Sequence, residues 1–116
     1  MSIENQPGQK PLVPAPPPSW GEVTPEDEKA KVVRFVMVDR VVTFLVSELK
    51  RWEHVAGEPE VLTISAGKET VVIEGAELAA IRAALDFKRL CEVRANHERS
   101  KARPGPRVRR ITIETA

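Results

Sequence analysis

A chain of 116 residues, 41% apolar and 30% charged, has material for one packed domain. One cysteine, Cys91, excludes an internal disulfide. No window approaches 18 uninterrupted apolar residues, which excludes a membrane-spanning helix. The start of the chain has neither a basic opening nor an apolar stretch of secretory length, so the expected location is the cytoplasm.

The formal net charge of +1 points to no partner until it is divided along the chain. Residues 1–30 hold two lysines against five acids, and residues 31–95 hold ten of each sign. Residues 96–116 hold six basic groups against two acids. A balanced middle between tails of opposite sign reads as a folded domain with flanking segments.

Seven of the ten prolines lie in the first 25 residues, including Pro16-Pro17-Pro18. Proline lacks an amide donor and pushes its predecessor toward extended backbone. Residues 1–29 therefore read as a disordered proline-rich arm. Pro11 and Pro14 have the spacing of a ligand for an SH3-type groove, but no arginine flanks them, and a solubilising tail is the preferred reading. Trp20 is out of place in such an arm.

The domain is expected over 31–115. Lys31–Val38 and Val41–Val46 are β-branched runs separated by Asp39-Arg40, the spacing of a hairpin. Both are more continuously apolar than alternating, which predicts burial on two faces or a second copy against one of them. Leu45, Leu49, Trp52 and Ala56 recur at helical spacing between Ser47 and Gly57, predicting a short helix with Trp52 facing the core. Residues 61–65 and 69–74 read as a hairpin turning at Ala66-Gly67-Lys68, with Leu62, Ile64, Val71 and Ile73 facing inward. Ala76–Phe87 is the best helix, with Leu78, Ile81 and Leu85 on one stripe. Leu90–Ala95 and Arg107–Thr115 read as strands around a polar loop at 96–106. The expected fold is α+β: a small, mostly antiparallel sheet in the order β-β-α-β-β-α-β-β, with helices on one face.

The chemical motifs are sparse. Gly67-Lys68 resembles part of a phosphate-binding loop, but Leu62 stands where that loop needs glycine and Glu69 where it needs a hydroxyl, so a hairpin turn is expected. His54, His97 and Cys91 have no metal-ligand spacing, and Cys91 reads as a small buried side chain. Glu53 and His54 are adjacent, and Glu48/Glu53, Glu58/Glu60 and Glu74/Glu77 are scattered; surface charge accounts for them without an acid–base pair. No catalytic residue, cofactor or small-molecule substrate is assigned.

The basic segment is the strongest functional signal. Arg99, Lys101, Arg103, Arg107, Arg109 and Arg110 fall within twelve residues and are candidates for contact with nucleic acid or an acidic partner. No interleaved aromatics accompany them. The expected function is a non-enzymatic protein-interaction module that self-associates, on the strength of its apolar first hairpin; the alternative is a nucleic-acid-binding accessory protein using residues 99–110.

Overall fold

The computed structural model of the chain describes residues 19–95 and 105–115. These residues form eight strands: β1 (Gly21–Val23), β2 (Val32–Val36), β3 (Val41–Leu45), β4 (Leu49–Val55), β5 (Glu60–Ala66), β6 (Glu69–Ala76), β7 (Leu90–Arg94) and β8 (Arg107–Thr115). Among the described residues a single α-helix, α1 (Ala79–Asp86), joins β6 to β7, and a 3-10 turn at Val46–Glu48 joins β3 to β4. The strands form two four-stranded sheets in the orders β1-β7-β2-β3 and β4-β5-β6-β8.

This corrects the expected α+β fold. The described chain is mostly β, in two sheets rather than one, with one α-helix instead of two. The helix expected between Ser47 and Gly57 is strand β4. The cause is a bulge: Leu49 lies opposite Ala66 but Arg51 lies opposite Ser65, so Lys50 is an extra residue in the ladder. Leu49 and Trp52 thereby reach the same face although they are three residues apart, a spacing that imitates a helix. Two further bulges act alike. Cys91 is the extra residue between Leu90 and Val93, and Arg109 between Val108 and Ile111. In both cases the flanking pair, three residues apart, is buried.

The two hairpins expected from sequence are present. β2 and β3 pair antiparallel, closed by the Met37 amide donating to the Arg40 carbonyl at 2.8 Å. β5 and β6 pair from Glu60–Gly75 to Ala66–Glu69, with Gly67 turning at a φ of 62°. That turn is all that Gly67-Lys68 forms. Strand β7 runs parallel to β2 and antiparallel to β1.

Residues 1–18 of the expected arm lie outside the described residues. Its C-terminal part contains β1, and Trp20 packs against the core while its carbonyl accepts from the Arg94 amide at 2.7 Å. The polar loop at 96–104 is likewise outside the described residues.

One apolar cluster joins the inner faces. The first sheet gives Val33, Phe35, Phe44, Leu90 and Val93; the second gives Leu62, Ile64, Val71, Ile73, Val108 and Ile111. Leu78, Ile81, Ala84 and Leu85 bring α1 into the same cluster, on the stripe expected from sequence. Phe35 and Phe44 meet edge to face with centroids 5.9 Å apart. Where β6 passes β8, a Cβ on Gly75 would lie 1.8 Å from the Arg107 carbonyl oxygen, so the close approach at that bulge admits only glycine.

Candidate functional site

Each sheet has two edges, and the four are protected differently. β1 is three residues long. β4 carries Lys50, Arg51 and Glu53, and β8 carries Arg107, Arg109 and Arg110. Short length and charge are the ordinary defences against an added strand. β3 reads Val-Val-Thr-Phe-Leu and has neither charge nor proline.

The pairing register fixes what this edge offers. The Met37–Arg40 and Val46–Lys31 backbone bonds place residues 42 and 44 in the bonded positions toward β2. The amides and carbonyls of Val41 and Thr43 consequently point away from the sheet. The Leu45 amide also points outward, but it donates to Glu48 Oε1 at 2.9 Å. Of the outer side chains, Val41 and Leu45 are apolar and 55% and 54% exposed, with the exposed Thr43 between them, and Val38 in the adjoining turn stands fully in solvent. Across the ladder Val41 faces Val36 and Leu45 faces Val32, so the apolar strip continues onto the outer face of the sheet.

An ion triad crosses the middle of that face. Arg34 Nε donates to Glu92 Oε1 at 3.4 Å, and Arg94 Nε to Glu92 Oε2 at 2.9 Å. Burial alone would raise the Glu92 carboxyl. Hydrogen bonds and charge from Arg94, then from Arg34, outweigh it and hold the group below its ordinary value. The continuous burial expected for the first hairpin is thus present on one face only: Val33, Phe35 and Phe44 point inward, whereas Val41 and Leu45 do not.

The basic candidates are divided. Arg99, Lys101 and Arg103 lie outside the described residues. Arg107 approaches Glu77 at 3.7 Å, and Arg110 stands opposite Glu74 in the ladder. The bulge leaves Arg109 and Arg110 exposed side by side. Arg107 and Arg109 also border a shallow hollow of about 350 Å³, whose lining includes Glu58. A carboxylate there disfavours phosphate.

A polar chain that sequence did not reveal runs along α1. Arg82 Nε donates to His54 Nδ1 at 3.3 Å, which places the ring proton on Nε2, 2.8 Å from Glu60 Oε1. Glu60 also accepts from the Glu77 and Leu78 amides at 2.9 and 3.1 Å, capping a helix whose own N-cap, Leu78, has no side-chain acceptor. Hydrogen bonds from His54, Leu78 and Glu77, in that order, hold the Glu60 carboxyl below its ordinary range. At the other helix end Asp86 accepts from Trp52 Nε1 at 2.8 Å and from Arg82 at 3.2 Å. The groups in this chain are consumed in docking α1 against β4 and β5. Glu60, not Glu53, is the acid partner of His54, because adjacent residues on β4 point to opposite faces.

Cys91 donates its thiol hydrogen to the Glu22 carbonyl at 3.4 Å. Burial, then the Glu22 charge, pushes that thiol above its ordinary pKa, which disfavours the thiolate a nucleophile requires. His97 lies outside the described residues. Among the described residues no group of three His, Cys, Asp or Glu side chains converges as a metal site. None of their helices is long and apolar enough to cross a membrane.

The described chain is a mostly β, two-sheet domain with one docked helix. No protein-family model, curated protein or solved structure matches it.

Proposed function

We propose that the protein is a non-enzymatic interaction module that associates with a second copy of itself through β3. The observation that carries this reading is the uncharged β3 strand at a sheet edge, with outward-facing backbone at Val41 and Thr43 and exposed apolar side chains at Val41 and Leu45, Glu48 occupying only the Leu45 amide. A second β3 laid antiparallel about Thr43 sets Val41 opposite Leu45 at both ends. The same patch then serves both partners, as a two-fold interface demands. Val32 and Val36 extend the apolar contact beyond the edge at its two ends, on either side of the Arg34–Glu92–Arg94 triad.

Sedimentation velocity on the full chain tests the proposal. The wild type is expected to run as a dimer at tens of micromolar. Thr43→Pro removes an amide that makes no bond to β2, so it is expected to give a monomer that keeps its fold. Val41→Lys serves as a second variant should proline disturb the strand. A wild type that is monomeric at several hundred micromolar overturns the proposal, as does a dimer that survives both substitutions.

A second reading rests on the exposed pair Arg109 and Arg110: weak, salt-sensitive binding of nucleic acid along β8. Glu74 and Glu77 beside these arginines count against it. Fluorescence anisotropy with labelled single-stranded and duplex DNA at low salt is expected to show no change in affinity for the Arg107/Arg109/Arg110 triple-alanine variant. A loss of tenfold or more would promote this second reading.

A further inference from the structure

The end of α1 is built around a residue that its backbone does not favour. The Arg89 amide donates to the Ala84 carbonyl at 2.8 Å and the Lys88 amide to the Leu85 carbonyl at 3.0 Å, the two crossed bonds of a Schellman turn. The residue at its left-handed position is Lys88, with a φ of 59°. Glycine fills this position without penalty, whereas a lysine Cβ crowds the backbone. Strained residues of this kind concentrate where a side chain is needed in a particular place.

Lys88 lies on the rim of a cleft of about 450 Å³, within the range of small-molecule sites. Leu85 and Leu90, both buried, and the half-buried Leu49 supply apolar lining. Trp52 forms a flat wall, and its indole is held by the 2.8 Å bond to Asp86, which is itself paired with Arg82. A second lysine, Lys31, shares the rim with Lys88. Both lysines are exposed, and neither ammonium has a carboxylate partner among the described residues. Among the described residues no lysine makes an ion pair, so what distinguishes Lys31 and Lys88 is their shared place on the rim of this cleft. Two unpaired cations over an apolar hollow with an aromatic wall make a coherent recognition pattern.

We infer that this cleft binds a small organic anion with a flat apolar body, of the class of aromatic carboxylates. Its ring lies against Trp52 and over Leu85 and Leu90, and its carboxylate reaches Lys31 and Lys88. Apolar burial supplies attraction, and the two ammonium groups supply the preference for charge. The inference does not depend on self-association, because none of these residues belongs to β3.

The probe is 2-naphthoate, with the neutral 2-naphthalenemethanol as its control. Binding to the full chain is followed through the Trp52 indole N–H resonance and by calorimetry at low salt. Naphthoate is expected to shift the resonance and bind about tenfold more tightly than the alcohol, with the advantage shrinking as salt screens the lysines. Lys88→Gly is expected to weaken naphthoate about tenfold while raising the melting temperature, because glycine relieves the turn. A merely structural lysine would not couple these opposite effects. Lys31→Gln is expected to weaken binding without the thermal gain. The inference is overturned by a resonance that stays still at millimolar naphthoate, by equal affinity for the neutral alcohol, or by unchanged affinity in Lys88→Gly. A resonance that moves only on protein dilution would make a second copy the occupant, and that also overturns it.

Discussion

The two sheets are built from the same kinds of residue but are finished differently. In β4-β5-β6-β8, the central strands are seven and eight residues long; β4, β5 and β6 pair in sequence order, and β8 returns to close on β6. The edge strands of this sheet are charged. In β1-β7-β2-β3, the strands have three to five residues, and β7 arrives from the far side of α1 to lie between β1 and β2. The outer edge of that sheet is apolar. The first arrangement invests in intramolecular closure; the second leaves a strand's worth of backbone and apolar surface uncommitted. Stability and interaction are therefore expected to be separable by mutation.

The sharpest break in the comparison is at Gly75. A Cβ at that position must displace the β8 backbone, so Gly75→Ala is expected to cost about 3 kcal/mol or more, measured by urea denaturation. A loss below about 1 kcal/mol would mean that the β6–β8 approach relaxes easily, and the long sheet would not be the rigid half.

Glu60 comes next, because it fastens α1 to that sheet. Glu60→Gln leaves one acceptor oxygen where two amides and His54 converge, and the expected cost is about 1–2 kcal/mol at neutral pH. The pH dependence follows from the lowered carboxyl. A folded value below the unfolded one contributes stability that is fully present above the unfolded value, near 4.5, and is lost as pH falls through the folded value. The gap between wild type and Glu60→Gln is therefore expected to narrow in denaturation curves taken from pH 7 down to pH 3. A gap independent of pH would remove Glu60 from this role.

The smallest expected change in monomer stability lies at the open edge. Val41→Lys replaces a half-exposed side chain and should alter the stability of the monomer by no more than about 0.5 kcal/mol, while the proposed self-association is expected to be lost. Hydrogen exchange sharpens the same contrast. The amides of Val41 and Thr43 should exchange freely in dilute solution and gain protection as concentration rises, while those of Ile64 and Val71 stay protected throughout. Protection of Val41 and Thr43 that ignores concentration would contradict an edge that opens and closes by association.

Legibility from sequence followed the strands' regularity. Leu62, Ile64, Val71 and Ile73 alternate without interruption, so their hairpin could be read directly, and the apolar stripe of α1 identified the helix and the side it buries. Strand β4 has the sequence pattern of a helix because the bulge at Lys50 converts an alternating pattern into one with a three-residue step, which local periodicity cannot distinguish from a helical turn. The basic cluster is visible as composition, but the placing of Arg107 by Glu77 and of Arg110 opposite Glu74 depends on the β6–β8 register. The His54–Glu60 contact had no sequence signal: the two residues belong to different strands and meet only because β4 folds back on β5.

Sequence by itself determined which segments are apolar, where the chain must turn, and that the core would be aliphatic, because these follow from side-chain chemistry and local backbone preference. Tertiary structure alone decided that there are two sheets, that β7 is inserted between β1 and β2, that β3 is left at an edge, and that Lys88 overlooks a cleft beside Trp52. Those outcomes depend on which strands find each other over long separations and on three single-residue bulges. Neither leaves a mark in any short window of sequence.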